Sequence, residues 1–260
     1  MKKISDLAVE LCEDLDKSES GFSFDVENFE NGVKKHITHI KSEMAAKDIG
    51  KPIGIYANIE VCNFHSLVSS KDNKLKALQN ILSDTIIKFI RDSKVPFRKL
   101  LVVGLGNSRF VADSLGPKTC EMLNGDKYLA TFAAGVAGVT GIESVIAIKA
   151  ISKATSPSHV LVIDSLCCHE KERLGNNFQI SNAGISPGSG VGRDNKKINQ
   201  SFLGVPVIAL GVPLVIYLPS LHYVVPKMVD LIVERCVQVI VGAVNDLQKS
   251  SLWLEINRYQ

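Results

Sequence analysis

From residue 99 onward the chain switches repeatedly between two hydrophobic periods. Short, wholly apolar runs such as Leu100-Leu-Val-Val103 and Val160-Leu-Val-Ile163 alternate with stretches whose apolar residues recur at three and four. A run with no polar position reads as a strand covered on both faces, and the three-and-four spacing reads as an amphipathic helix. Strands joined through helices imply right-handed crossovers and parallel pairing. The predicted fold class is therefore α/β, a mainly parallel twisted sheet with flanking helices.

The individual elements follow from local chemistry. Strands are predicted at 99–103, more weakly at 130–134, at 160–163, and at 205–210 before the turn Gly211-Val-Pro213. Phe178-Gln-Ile-Ser181 reads as a short edge strand. Pro117 suits the first turn of a helix running through Glu121-Met-Leu123. Thr140-Gly-Ile-Glu143 has the spacing of a capping box, with a helix from Glu143 to Ile151. Val229, Ile232, Val233, Cys236, Val237 and Ile240 mark one face of a long helix from near Pro226. Upstream, residues 53–61 alternate as a half-exposed strand, and Leu75, Leu78, Leu82, Ile86, Phe89 and Ile90 mark a helix ending before Pro96. Residues 1–50 are charged and weakly periodic, and Phe22–Phe29 resists assignment. The expected organisation is one α/β domain over 1–260, with residues 1–70 as a small mixed N-terminal subregion.

Composition narrows the class. Of 260 residues, 45% are hydrophobic and 22% charged, with a net charge of only +3. That is a globular composition without the basic surplus of a nucleic-acid binder. Lys34-Lys35 and Lys196-Lys197 are isolated pairs. The six cysteines form no C-x-x-C and no zinc spacing, so reduced structural thiols in the cytoplasm are expected. The N-terminus has no apolar signal region, and no apolar run reaches the roughly 18 residues of a membrane span. The loop from Gly104 to Asp113 follows a strand, but Arg109 replaces the third glycine of a dinucleotide motif and no Walker lysine follows. No cofactor is expected.

What the loop does carry is an acid. Asp113 precedes a helix, and Asp164 follows the apolar run 160–163. Each alone can be a helix N-cap. Ligands of open α/β sheets, however, bind outside the carboxyl ends of the strands. Two carboxylates brought there can share a proton and activate water. A second glycine loop, Gly184-Ile-Ser-Pro-Gly-Ser-Gly-Val-Gly192, has no apolar helix behind it and suits a wall where a substrate backbone comes close. His169 lies five residues beyond Asp164 and is the weak metal-ligand candidate. Cys167 and Cys168 read as small buried side chains near it.

These segments together closely resemble the germination protease family, the spore proteases that degrade small acid-soluble spore proteins. The resemblance runs in order over residues 99–215: Leu101-Val-Val-Gly-Leu-Gly-Asn107, Asp113-Ser-Leu-Gly-Pro117, Gly135-Val-Ala-Gly-Val-Thr-Gly-Ile-Glu143, Val162-Ile-Asp164-Ser-Leu166, the 184–192 loop and Leu203 to Pro213. It implies an atypical aspartic-type endopeptidase with Asp113 and Asp164 as the catalytic pair. Asn107, Glu143, Ser186, Gly188, Ser189 and Gly190 would form the substrate-binding wall. It further implies a fold shared with hydrogenase maturation proteases, a homotetrameric zymogen and residence in the spore core. The partners would be spore proteins, with no direct contact to nucleic acid or membrane. Asp6-Leu-Ala-Val-Glu10 is similar to the family's self-cleavage element, which would place a cut at Asp6-Leu7.

The chain departs from the family pattern at Ser108, His169, Asn182, Ser186 and Tyr217. Two other readings therefore stand beside the endopeptidase. One is a catalytically degenerate paralogue that binds spore proteins or peptides. The other is a metal-dependent maturation protease, with Asp113, Asp164 and His169 as ligands.

Overall fold

The computed structural model describes residues 4–13, 15, 21–29, 32–61, 64, 73–188 and 196–253. In chain order the elements are α1 (Ala8–Cys12), β1 (Phe22–Asn28), β2 (Val33–Ile40), α2 (Glu43–Ile49), β3 (Gly54–Val61) and α3 (Asn73–Asp92). Then come β4 (Leu100–Gly104), α4 (Leu115–Met122), β5 (Leu129–Ala133), α5 (Ala137–Thr140), α6 (Ser144–Thr155), β6 (His159–Cys168) and β7 (Asn177–Ser181). After these come α7 (Gln200–Leu203), β8 (Val207–Leu218), β9 (His222–Val224) and α8 (Val229–Gln248).

The nine strands of the described residues join one sheet in the order β1-β2-β3-β7-β8-β6-β4-β5, with β9 on the far end of β8. The α/β class holds, and β5-β4-β6-β8 is parallel as the alternation of strand and helix predicts. The sheet as a whole is mixed rather than mainly parallel. Hairpin-like returns place β1, β2, β3 and β7 antiparallel to their neighbours. β1, which resisted assignment, alternates Phe22, Phe24 and Val26 on one face, but that face is buried only at Phe22 and Val26 is 45% exposed.

Both faces of the parallel part are covered, which explains its unbroken apolar runs. Leu100, Val102, Leu161 and Ile163 face α3 and α8 and meet Leu82, Ile86, Val237 and Ile240. Leu101, Val103, Val160 and Val162 point to the other side, onto Val145 and Ile148 of α6. Each such fully buried aliphatic side chain contributes about 1.5–3 kcal/mol.

Several local expectations change. The capping box does not form: Thr140 ends α5, its hydroxyl bonds Val136 and Ile142 carbonyls, and Glu143 caps α6 without a side-chain bond. β7 is not an edge strand; it lies between β3 and β8 and is buried throughout. α4 opens at Leu115, two residues before Pro117, after an N-cap at Ser114 that makes no side-chain cap bond. β6 runs well past the expected strand 160–163, and β8 well past the turn expected at Gly211-Val-Pro213. Apolar residues that continue beyond a polar or glycine position hid that extension.

α4 can lie against the ends of β4 and β6 only because Gly116 has no side chain. A Cβ there would enter the carbonyl oxygens of Leu105 and Ile163, both of them backbone. Gly116→Ala is expected to lower stability by about 1–3 kcal/mol through overpacking, read from the urea midpoint. An unchanged midpoint would mean that the helix can slide away.

Candidate active site

β4 stops at Gly104, paired with Ile163 of β6. β6 and β8 continue side by side, from Asp164 opposite Gly211 to Cys168 opposite Ile216, with a bulge between Leu166 and Cys167. Asp164 is therefore the first residue of β6 beyond the carboxyl end of β4. It sits inside a strand rather than at a strand end, and no helix follows for it to cap. The crevice that open sheets use for ligands arises here from unequal strand lengths.

Asp113 reaches the same crevice by a different route. After β4 the chain turns at Leu105, whose N–H donates to the Ile163 carbonyl at 2.8 Å. It returns through a single 3₁₀ turn, Val111–Asp113. There Asp113 Oδ2 accepts the N–H of Asn107 at 2.9 Å. Gly106 makes this fold-back possible, since its φ is +111° and a Cβ would collide with the Asp113 carbonyl. Asp113 is thus held by its own loop and does not cap α4.

The two aspartates line one cleft of about 370 Å³ together with Glu143, Ser186 and Gly188. Its apolar wall includes Leu105, Phe110, Leu166 and Val215. Asp164 is 7% exposed. Burial, then the charge of Asp113, then that of Asp6, holds its carboxyl well above the usual range. The N–H of Ser165, 2.9 Å from Oδ1, opposes this more weakly. Of the two groups, Asp164 is the one built to keep a proton.

The first helix brings a third acid into the cleft. Asp6 is 8% exposed, its N–H donates to the Cys167 carbonyl at 2.8 Å, and its Oδ2 accepts the Cys167 N–H at 2.9 Å. Glu10, wholly buried, accepts the N–H groups of His169 and Glu170 at 2.8 and 3.0 Å. Arg173 is ion-paired with Glu13, with Glu170 at 3.5 Å and with Glu10 at 3.9 Å. The N-terminal segment is thereby fastened along the extended end of β6.

The germination protease family model matches residues 4–235, which includes every element of this site. The chain belongs to the germination protease family. It is 32% identical to the germination protease of Clostridium tetani over 90% of this chain and 76% of that one. With the germination protease of Caldanaerobacter subterraneus subsp. tengcongensis the figures are 37% identity, 73% and 62%, and with that of Geobacillus sp. WCH70 they are 38%, 72% and 53%. The chain thus spans roughly half to three quarters of the length of these relatives. A crystal structure of a [NiFe] hydrogenase maturation protease, HycI from Thermococcus kodakarensis KOD1, superposes with a TM-score of 0.43 and 16% identity, over 62% of this chain and 99% of that one.

Within this family frame, the residues expected at the site divide. Asp113, Asp164, Glu143, Ser186 and Gly188 meet in the cleft, and the Glu143 side chain can do so because it makes no cap bond to α6. Asn107 is not among the lining residues: its Oδ1 accepts the N–H of Arg109 at 3.0 Å, and its contribution is the backbone N–H given to Asp113. Ser189 and Gly190 lie outside the described residues. His169 does not line the cleft; it meets Glu10 through its backbone. Among the described residues, no group of three His, Cys, Asp or Glu side chains is placed to hold a metal ion. Cys167 is 2% exposed and burial pushes its thiol up to about 12, so it stays a neutral wall residue.

Sequence patterns gave no signal for Lys51 or for Gln179 as a side chain. Lys51 follows the helix α2 in a Gly-Lys-Pro turn with no periodicity, and Gln179 sits within a short, wholly buried strand between Phe178 and Ile180. Both line a neighbouring cleft of about 750 Å³ that shares Asp6, Leu166, Ile185 and Ser186 with the first.

No helix among the described residues is long and apolar enough to cross a membrane.

Proposed function

We propose that the chain is an endopeptidase acting on small acid-soluble spore proteins, with Asp113 and Asp164 as its catalytic pair. The observation that carries this reading is the unequal environment of two carboxyls lining one cleft. Each accepts a backbone N–H, but Asp164 is buried beside two acids while Asp113 is only half-buried on its own loop. In this reading the Asp113 carboxylate takes a proton from water as the water attacks the scissile carbonyl. Asp164 donates its proton towards the carbonyl oxygen, which becomes the hydroxyl of the tetrahedral intermediate. Collapse breaks the C–N bond: the amine leaves with the proton that Asp113 collected, and the hydroxyl returns its proton to Asp164 as the carbonyl re-forms. Family membership supports the substrate class.

The direct test is incubation with a purified small acid-soluble spore protein, followed by mass spectrometry. Discrete internal fragments are expected. An intact substrate that remains bound to the protein would instead favour the non-cutting paralogue. Cleavage should be indifferent to chelator, since His169 does not line the cleft. A rate that collapses in EDTA and returns with a divalent transition metal would favour the maturation-protease reading.

A further inference from the structure

Three apolar side chains stand in water beside the cleft. Val139 is 44% exposed, Ile142 54% and Ile146 60%, all within eight residues. Apolar side chains gathered in this way at the surface mark a contact with another molecule. α5, which carries Val139, buries none of its residues, yet Val136 and Ala137 at its start line the cleft. Its hydrogen bonds close on themselves. The Val139 and Thr140 N–H groups donate to the Val136 carbonyl at 2.9 and 3.0 Å, and the Gly141 N–H donates to the Ala137 carbonyl at 2.8 Å. The Thr140 hydroxyl accepts the Ile142 N–H at 3.2 Å. Residues 136–142 thus hold their own shape without a share of the core, which leaves them easy to displace as a unit. Left-handed glycines mark the two ends, Gly135 with φ +67° and Gly141 with φ +72°, where a change of backbone angle is readily absorbed.

Phe110 forms the facing lip. It lines the cleft and is 55% exposed. Its loop leads into α4, whose Leu115 and Cys120 pack on the sheet face covered by α3 and α8. Residues 136–142 lead into α6, whose Val145 and Ile148 pack on the opposite face. The two lips therefore leave the sheet on opposite sides, and the cleft opens between them. We infer that residues 136–142 form a flap, and that Val139 and Ile142 clamp an apolar stretch of a bound polypeptide against Phe110. Val139, three residues after Val136 in a helical turn, shares its face and comes over the cleft as the flap closes. The choice of a polypeptide as occupant rests on the peptidase reading: a chain lying across Asp113 and Asp164 has to pass between the two lips. Closure also expels water, which strengthens the electrostatic interactions of the acid pair.

The test uses the full chain carrying Asp164→Asn, so that a purified small acid-soluble spore protein stays intact. Hydrogen exchange at residues 139–142 is expected to slow by about tenfold or more when the spore protein saturates the chain. Adding Val139→Ser with Ile142→Ser should remove that slowing, and Val139→Ile with Ile142→Leu should keep it. With Asp164 restored, the Ser pair is expected to lower kcat/KM on the spore protein by about tenfold or more, mainly through KM, and Phe110→Ser to do the same. Because α5 buries nothing, the Ser pair should melt within about 2 °C of the parent. Exchange that does not respond to the spore protein, an unchanged kcat/KM in the Ser pair, or a fall in its melting temperature of more than about 5 °C would overturn the inference. So would a Ser pair that loses a self-association seen in the parent while its kcat/KM holds, since the patch would then join copies of this chain. Slowed exchange in a chain whose parent cuts no spore protein keeps the clamp and loses the peptidase. Cleavage without any slowing does the reverse.

Discussion

Asp164→Asn is expected to abolish cleavage of a spore protein and at the same time to stabilise the folded chain. Loss of a positioned proton donor lowers the rate by about 10²–10⁴, or more where the pair acts as a unit. The stability effect has the opposite sign because Asp164 is buried against Asp113 and Asp6. Its folded pKa lies well above the ordinary 3.8. The folded state therefore binds this proton more tightly than the unfolded chain does. Stability falls as pH rises from the unfolded value through the folded one, and the cost is complete above both. Each pKa unit of elevation corresponds to about 1.4 kcal/mol. Asparagine carries no titrating proton, so the variant should be more stable than the parent at pH 8 and comparable at pH 3. Thermal melts at the two pH values read this directly, at about 2–4 °C per kcal/mol for a chain of this size. Asp113→Asn should also abolish cleavage, and it should shrink the pH-dependent loss by removing one of the charges that raise Asp164. A fully active variant at either position would refute the pair. An Asp164→Asn chain less stable than the parent at pH 8 would refute the buried-acid argument.

Arg173→Met should have the largest effect on stability and should loosen the N-terminal segment. Arg173 is 9% exposed and Glu10 is not exposed at all. Removing the guanidinium leaves a buried carboxylate facing Glu170 and Glu13 with two backbone N–H groups for support. Breaking such a pair from one side costs about 3–5 kcal/mol. Chemical denaturation measures the loss, and hydrogen exchange at Ala8–Cys12 locates it, since those amides should exchange far faster than in the parent. Adding Glu10→Gln should return part of the stability, because the uncompensated charge goes with it. If Arg173→Met unfolds at the parental midpoint, the network is a surface contact and the segment is held by other means.

Residue patterns alone settled the elements that packing repeats faithfully. Leu100-Leu-Val-Val103 and Val160-Leu-Val-Ile163 are strands buried on both faces, and the α3 and α8 stripes are the faces that cover them. Here, burial demands apolar residues at fixed periods, so the pattern is the cause of the structure and is legible beforehand. Family membership was legible for the same reason: its motifs are turns and close approaches, at Gly106 and Gly116, that tolerate few other residues. Capping was not legible, because Thr140 and Glu143 have the spacing of a box but the intervening chain forms a separate turn. Nor was strand length, since the polar Asp164-Ser165 stands where β6 stops pairing with β4 and reads as a strand end, although β6 continues there with β8 alone.

The sequence by itself therefore determined the α/β class, the family and the two aspartates as candidates. Tertiary structure decided that Asp113 and Asp164 line one cleft, that Asn107 serves through its backbone and that His169 stays outside. It also brought Asp6 to Asp164 and Lys51 to Asp6, across 158 and 45 residues of chain. Contacts of that separation are set by sheet order and by where neighbouring strands end. Neither leaves a periodic trace, because each depends on residues that are far apart in the chain and adjacent only once it has folded.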